Sequence, residues 1–149
     1  MKAGSFKTDS SFYRFPRGCC GSASDLLGEY LKSYGIQTWY VNGTHYPKCD
    51  DPEETWTKMQ SHAWLTTKDP RVFDDYVVID ITGDQFCNDE EYGCFNQKVY
   101  IGPMNDFHRL FEVEDRDVHP SLTIQSLGNI ATPILCDLYQ KILEQMTQK

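Results

Sequence analysis

A pair of strand-forming segments in the middle of the chain places the strongest constraint on its fold. Residues 61–66 and 76–82 are rich in β-branched and aromatic side chains, which favour extended backbone. The segment between them, 68–75, carries several charges and Pro70, a composition typical of a loop. Two such strands joined by a polar loop predict an antiparallel β-hairpin.

Each strand of this hairpin carries one side chain suited to acid–base chemistry. In an antiparallel pair the numbers of facing residues have a constant sum, and a hairpin folding about position 71 has a sum near 142. This register predicts that His62 faces Asp80 and that Trp64 faces Val78. Facing Cβ atoms lie about 4.5–5.5 Å apart, so we expect an imidazole–carboxylate hydrogen bond. A slip of one residue would place the two side chains on opposite faces of the sheet.

Cys20 lies where a helix is expected to begin. The side chains that follow it at helical spacing are Ala23, Ser24, Leu27, Tyr30, Leu31 and Tyr34. Gly35 comes next, as the natural C′ residue of this helix. A cysteine in the first turn feels the helix dipole, which together with a nearby imidazolium lowers the pKa of a thiol. Cys19 lies one residue outside the helical phase, so we take Cys20 as the nucleophile and Cys19 as its neighbour.

Cys20, His62 and Asp80 together supply a nucleophile, its base and the group that orients the base. Taken singly, each has an ordinary structural interpretation: an inert buried thiol, a hydrogen-bonded core histidine and an aspartate that ends a strand. Their occurrence in this order, with matching flanks, favours a catalytic triad. Trp64 is interpreted as part of the core or a wall of the site, without a chemical role.

These segments resemble the core of the transglutaminase-like branch of the papain-like cysteine enzymes, over positions 14–86. The motifs that carry the resemblance are Gly18-x-Cys20, Leu27 with Leu31, Gly35-Ile36-x-Thr38-x-Tyr40-Val41-x-Gly43, His62-Ala63-Trp64 and Ile79-Asp80-Ile81-Thr82. The resemblance implies an α+β fold in which an N-terminal catalytic helix packs on an antiparallel β-sheet. It also implies that Cys20 is the nucleophile, His62 the general base and Asp80 the orienting acid.

The remaining segments fill in a single predicted domain, 1–149, without repeats or linkers. Residues 1–12 are polar and predict a loose N-terminal arm, and Thr132-Pro133 predicts the start of a C-terminal helix, since proline is favoured at the first helical position. Between these ends we expect strands at 37–41 and 97–101, a long loop or short helix at 44–60, and either a helical turn or an edge strand at 106–113.

Composition limits the classes of partner. The chain has 14 basic and 22 acidic side chains and a net charge of −8, which disfavours nucleic acid and anionic membranes. It contains no apolar stretch long enough to span a membrane, and its first residues form no apolar signal core. We therefore expect a cytoplasmic protein, with signal-less export left open, and a protein or peptide substrate. The sequence does not indicate an oligomeric state.

The six cysteines are expected to be free thiols, because the chain shows no secretory signal. Cys49, Cys87 and Cys94 lie in predicted loops but form no Cys-x-x-Cys unit, so no metal site is expected from them. We also expect no cofactor.

The resemblance implies acyl transfer through a thioester on Cys20. Water as the acceptor makes the protein a peptidase, amidase or glutamine deamidase, and an amine as the acceptor makes it a transglutaminase or other acyltransferase. A non-catalytic binding module on the same fold is the third alternative. We favour the thiol hydrolase because this small chain has no evident second module to exclude water.

The Cys20 backbone N–H is one expected oxyanion donor. Cys19, Gln85 and Trp64 are the further candidates for oxyanion-binding or cleft residues. For Gln85 we favour the simpler interpretation of a solvated loop glutamine.

Overall fold

An antiparallel five-stranded sheet with a helix on one face organises this mixed α+β protein. The computed structural model describes residues 16–121 and residue 140. In chain order the helices and strands are α1 (Cys20–Ser33), β1 (Trp39–His45), α2 (Pro52–Lys58), β2 (Gln60–Thr66), β3 (Val78–Asp80), β4 (Tyr100–Gly102), α3 (Asp106–Arg109) and β5 (Val118–Pro120). The strand order across the sheet is β4-β3-β2-β1-β5, with every neighbouring pair antiparallel.

The central strand β2 is covered on both faces. From His62 to Thr66 every residue is buried, as in strands that have layers on both sides. On one face α1 packs across β2 and β1. On the other face lies the apolar core, which is formed by Val41, Trp64, Val78, Phe86, Tyr92, Phe107, Phe111 and Val118.

The predicted hairpin between β2 and β3 forms, but its register is not the predicted one. Leu65 pairs with Ile79 and Thr66 with Val78, so facing residues sum to 144 and not to 142. The loop explains the difference: the Thr67 backbone N–H donates to the Val77 carbonyl at 3.0 Å, so the loop between these two residues is centred at position 72. The tight turn inside it, in which the N–H groups of Val72 and Phe73 donate to the carbonyl of Asp69, lies toward its first half. The prediction that His62 faces Asp80 and Trp64 faces Val78 is therefore wrong.

The register differs by two residues, and this even number preserves the side-chain faces. Side chains alternate with a period of two, so a shift of one residue would have moved Asp80 to the α1 face. A shift of two leaves His62 and Asp80 on the same face as diagonal neighbours. Diagonal pairs remain within reach of long side chains, and the predicted contact survives.

Helix α1 starts and ends where the sequence predicts. It begins at Cys20 and is followed by Gly35 with φ +76°, in the left-handed region that glycine adopts most easily. The N–H of Gly35 donates to the carbonyl of Lys32, and the N–H of Ile36 donates to that of Leu31. This pair of bonds is a Schellman motif, which satisfies two carbonyls at the helix end.

Other boundaries differ from prediction because tertiary pairing extends or shortens the elements. Strand β1 runs on to His45, and segment 44–60 contains the short helix α2. Segment 106–113 combines both alternatives: α3 is followed by an isolated bridge between Thr44 and Glu112. Strand β5 was not predicted; it pairs with β1 at the sheet edge, where Pro120 is tolerated.

Two predictions lie outside the described residues, namely the loose arm at 1–12 and the C-terminal helix from Thr132-Pro133. Within the described part of the chain, no helix is long and apolar enough to cross a membrane.

Candidate functional site: a thiol beside a buried His–Asp–His cluster

His62 and Asp80 form a fully buried hydrogen-bonded pair on the core face of the sheet. The distance from His62 Nε2 to Asp80 Oδ2 is 2.7 Å, and both side chains have zero exposed area. Because Nε2 is bonded to the carboxylate, Nδ1 is the ring nitrogen left for proton exchange with another group. This is the orientation that a base held by an acid requires.

Asp80 is held from three directions. Its Oδ2 also lies 2.8 Å from His108 Nε2, and its Oδ1 accepts the backbone N–H of Thr82 at 2.9 Å. Burial raises the pKa of this carboxyl group, but hydrogen bonds from His108 and His62, the charge of His62 and the N–H of Thr82 outweigh it. The pKa of Asp80 is therefore well below its usual range.

Gly83 allows this arrangement because it has no side chain. A Cβ at this position would lie 2.6 Å from a ring carbon of Phe95 and 2.9 Å from Asp80 Oδ2. Both distances are shorter than a van der Waals contact. The turn after β3 can therefore close over the carboxylate only with glycine at this position.

His108 is the member of the cluster that the sequence did not indicate. Its Nδ1 lies 2.6 Å from Asn105 Oδ1, the same oxygen that accepts the His108 backbone N–H at the start of α3. Both ring nitrogens therefore lie beside oxygen atoms. Burial lowers the pKa of His108, the Asp80 carboxylate opposes this effect and the charge of His62 adds to it, so the net pKa is lowered. A capping asparagine followed three residues later by histidine is too common to have marked the site in advance.

Cys20 opens α1 and interacts with the His62 ring. Burial raises the pKa of its thiol, but a hydrogen bond from His62, the charge of that ring and hydrogen bonds with the backbone at Ala63 and Gly21 reverse the effect, so the net pKa is lowered. Burial lowers the pKa of His62, but hydrogen bonds with Asp80 and Cys20 and the charges of both raise it to about 9. Opposite shifts on the two partners favour a thiolate–imidazolium pair.

Cys19 differs from its neighbour in both environment and acidity. It is buried, and its Sγ lies 3.2 Å from the carbonyl of Arg17, to which the thiol donates. Burial raises the pKa of the Cys19 thiol, and the adjacent Cys20 raises it further. Two sequential thiols therefore have pKa shifts in opposite directions, and of the two only Cys20 has a lowered pKa.

Gln85 reaches into the site. The structure places its half-buried side chain against three groups: its Oε1 accepts the N–H of Gly18 at 3.3 Å, and its Nε2 donates to the Thr82 carbonyl at 3.1 Å and lies 3.1 Å from His62 Nδ1. These partners orient the amide with its NH₂ group toward Nδ1, a contact that favours the neutral imidazole and opposes the positive charge that Asp80 and Cys20 favour. The favoured interpretation of Gln85 as a solvated loop residue does not fit this geometry, because the amide bridges the loop before Cys20 and the base.

Aromatic rings exclude water from the cluster. Trp64 is fully buried with its ring 5.1 Å from that of His108, and its Nε1 has no hydrogen-bond partner within the described residues. The rings within 6 Å of the His62 ring are those of Trp64, Phe86, Phe107 and Phe111. In such surroundings, hydrogen bonds to the Asp80 carboxylate are stronger than in water.

A second group of ionisable side chains lies on the α1 side of the thiol. The Tyr40 ring stacks on that of His119, with centroids 5.0 Å apart. Burial raises the pKa of Tyr40, and the nearby charges of Asp25 and Cys20 raise it further. Burial raises the pKa of Asp25 to about 6, and His119 opposes this shift.

The ligand-type atoms of His62, Asp80 and His108 lie within 4.8 Å of one another, close enough to be tested as a metal site. Zinc bonds to histidine nitrogen at about 2.0–2.1 Å, which would set tetrahedral donor atoms roughly 3.3 Å apart. The observed Oδ2–Nε2 distances of 2.7 and 2.8 Å are instead those of hydrogen bonds. The cluster as arranged therefore fits shared protons.

Comparisons of the chain with protein-family models, with curated proteins and with solved structures give no match. The fold is thus described as mixed α+β, and the similarity to the transglutaminase-like branch stays a prediction.

Proposed function

We propose that this protein is a cysteine-dependent hydrolase of amide or peptide bonds. The observation that carries the proposal is the fully buried His62–Asp80 pair, 2.7 Å apart at zero exposure, whose imidazole lowers the pKa of the Cys20 thiol. The predicted resemblance of the motifs around Cys20, His62 and Asp80 to the transglutaminase-like cysteine enzymes agrees with the same chemistry.

The reaction follows from the two ring nitrogens of His62. The Cys20 thiolate attacks the carbonyl carbon of the substrate, and the backbone N–H groups of the first turn of α1 lie beside the position where the oxyanion develops. The C–N bond then breaks as the imidazolium gives its Nδ1 proton to the leaving amine, which leaves a thioester on Cys20. His62 next removes a proton from water, the hydroxide attacks the thioester, and the acid product leaves as Cys20 regains its starting state.

Asp80 stays hydrogen-bonded to the other ring nitrogen of His62, Nε2, during every step of the reaction. Its carboxylate keeps Nε2 protonated and stabilises the imidazolium, without itself taking the proton. Because the carboxylate pKa is held well below its usual range, Asp80 stays ionised at every pH at which the protein is expected to work.

The test compares the wild-type protein with Cys20→Ser and with Cys49→Ser as a matched control outside the cluster. Each protein is incubated with an unfolded test protein, with and without a labelled primary amine, and the products are mapped by mass spectrometry. We expect new chain ends or conversion of glutamine to glutamate with wild type and Cys49→Ser, and neither with Cys20→Ser. Incorporation of the amine would assign the same thioester to acyl transfer.

A second readout does not depend on guessing the substrate. Limiting iodoacetamide at pH 6.5 should alkylate Cys20 before the other thiols, including the exposed Cys94, because the thiolate is the reactive form. Preferential alkylation of any other cysteine, with Cys20 unmodified, would refute the assignment of the nucleophile.

A further inference from the structure

We propose that His108 is a positioning residue for the Cys20 site: by donating to Asp80 Oδ2 from the far side, it keeps the carboxylate ionised and aimed at His62. This inference deepens the proposed function and rests on it. The basis is geometric, in that a single carboxylate oxygen lies 2.7 Å from one imidazole nitrogen and 2.8 Å from another, and all three side chains have zero exposed area.

The need for such a donor follows from the surroundings of Asp80. A carboxylate removed from water tends to take up a proton unless hydrogen bonds compensate. The hydrogen bond to His62 alone does not ensure that Asp80 stays ionised, because in a site without water the proton can move from the imidazolium to the carboxylate and give a neutral acid beside a neutral imidazole. A second donor on the same oxygen disfavours the protonated acid, so the proton stays on His62 and the Cys20 thiolate keeps its cationic partner.

His108 is itself oriented by its own helix. Asn105 Oδ1 accepts the His108 backbone N–H at 2.9 Å and lies 2.6 Å from the ring Nδ1, which fixes the position of the ring at the start of α3. The hydrogen-bonded chain therefore runs from Asn105 through His108, Asp80 and His62 to Cys20. It connects α3 to α1 across the core face of the sheet.

The other ionisable groups around these residues are few within the described chain. Tyr100 of β4 contacts the His108 ring, at 5.4 Å between centroids. Near the thiol, the groups are Cys19 before α1 and Tyr40 of β1, both with raised pKa values and therefore neutral near pH 7. Beyond Tyr40 lie Asp25, whose pKa is raised to about 6 by burial, and His119. These groups are the same in every His108 variant, so a difference between variants in the pH dependence of Cys20 alkylation reports mainly on the chain through His62.

Two amide substitutions separate positioning from packing. His108→Gln places a side-chain nitrogen near the position of Nε2 and can still donate to Asp80. His108→Asn places its amide near the position of Nδ1 and cannot reach the carboxylate. Both are polar and uncharged, and His108→Leu completes the set as an apolar substitution.

The experiment measures the rate of Cys20 alkylation by iodoacetamide from pH 5 to 10, with mass spectrometric quantification of the Cys20 peptide. We expect His108→Asn and His108→Leu to raise the apparent pKa of Cys20 by about one unit, which lowers the rate at pH 6 about tenfold and leaves the rate at pH 10 unchanged. His108→Gln should stay within about threefold of wild type at pH 6. Circular dichroism of each variant confirms that the protein is folded.

The outcomes distinguish this inference from the function on which it depends. If wild-type Cys20 titrates like an ordinary thiol, the proposed function fails. If wild type has a low thiol pKa and His108→Asn and His108→Leu are folded with the same profile, then only the role of His108 is overturned. A wild-type profile that changes on treatment with a chelator would also overturn it, because the cluster would then be a metal site.

Discussion

Replacing Asp80 with asparagine should weaken the fold as well as the chemistry. The carboxylate accepts four hydrogen bonds, from His62, from His108 and from the N–H and hydroxyl of Thr82, and only the two from Thr82 are unaffected by an amide. The amide NH₂ group would face two ring nitrogens that now donate to oxygen. Either the hydrogen bonds to His62 and His108 are lost, or both imidazole rings change tautomer. Exchanging two charge-assisted bonds for neutral ones costs about 3 kcal/mol in free energy of unfolding. That loss is a large fraction of the stability of an ordinary domain, about 5–15 kcal/mol.

Asp84→Asn is a matched control four residues away. Asp84 Oδ1 is buried and has no hydrogen-bond partner within the described residues, and burial raises the pKa of this carboxyl group. Neutralising it should leave the free energy of unfolding unchanged or increase it. Urea unfolding at pH 7, followed by tryptophan fluorescence, measures both variants. An Asp80→Asn protein as stable as wild type, or an Asp84→Asn protein that loses as much as Asp80→Asn, would refute this reasoning.

The pH dependence of the two variants should differ in a defined direction. The pKa of Asp80 is lowered in the folded state, so its contribution is present above the ordinary carboxyl pKa of about 3.9 and is lost as the pH falls through the lower, folded value. The difference between wild type and Asp80→Asn should therefore shrink progressively as the pH falls below about 4. The pKa of Asp84 is raised, so its ionised form destabilises the fold above that range. Any gain from Asp84→Asn should disappear below about pH 4.

Three further predictions concern the residues around the thiol. Gln85→Ala removes the amide that donates toward His62 Nδ1, so the imidazolium becomes easier to form. The rate of Cys20 alkylation at pH 6 should rise about two- to tenfold, which corresponds to the free energy of one neutral hydrogen bond. A slower rate than that of wild type would contradict this prediction. Gly83→Ala should lower the free energy of unfolding by about 1–3 kcal/mol, because its Cβ would overlap Phe95 and Asp80; a melting temperature equal to that of wild type would count against the close contact. Cys20→Ala should abolish turnover while stability changes by at most about 1–2 kcal/mol, and a folded variant with full activity would identify a binding module.

Local sequence signals determined the elements that carry Cys20 and His62. Helix α1 is marked by its own spacing and by Gly35, whose positive φ ends it through backbone hydrogen bonds. The hairpin is marked by two β-rich segments and a proline-containing loop. Because strand side chains alternate with a fixed period, the sequence also predicts that His62 and Asp80 share a face, and this held although the register differed by two residues.

Only the tertiary structure decided which partners complete the cluster. His108 comes from a four-residue helix 28 positions beyond Asp80, and Gln85 from the turn after β3, and no periodic pattern connects either to the hairpin. The register itself depended on where the strand pairing ends, at Thr67 and Val77 on either side of an asymmetric loop, which composition does not reveal. Contacts between residues far apart in sequence depend on how helices and loops dock on the sheet. Docking is governed by the packing of the whole core, so the chain specifies the His108–Asp80–His62 arrangement only once it is folded.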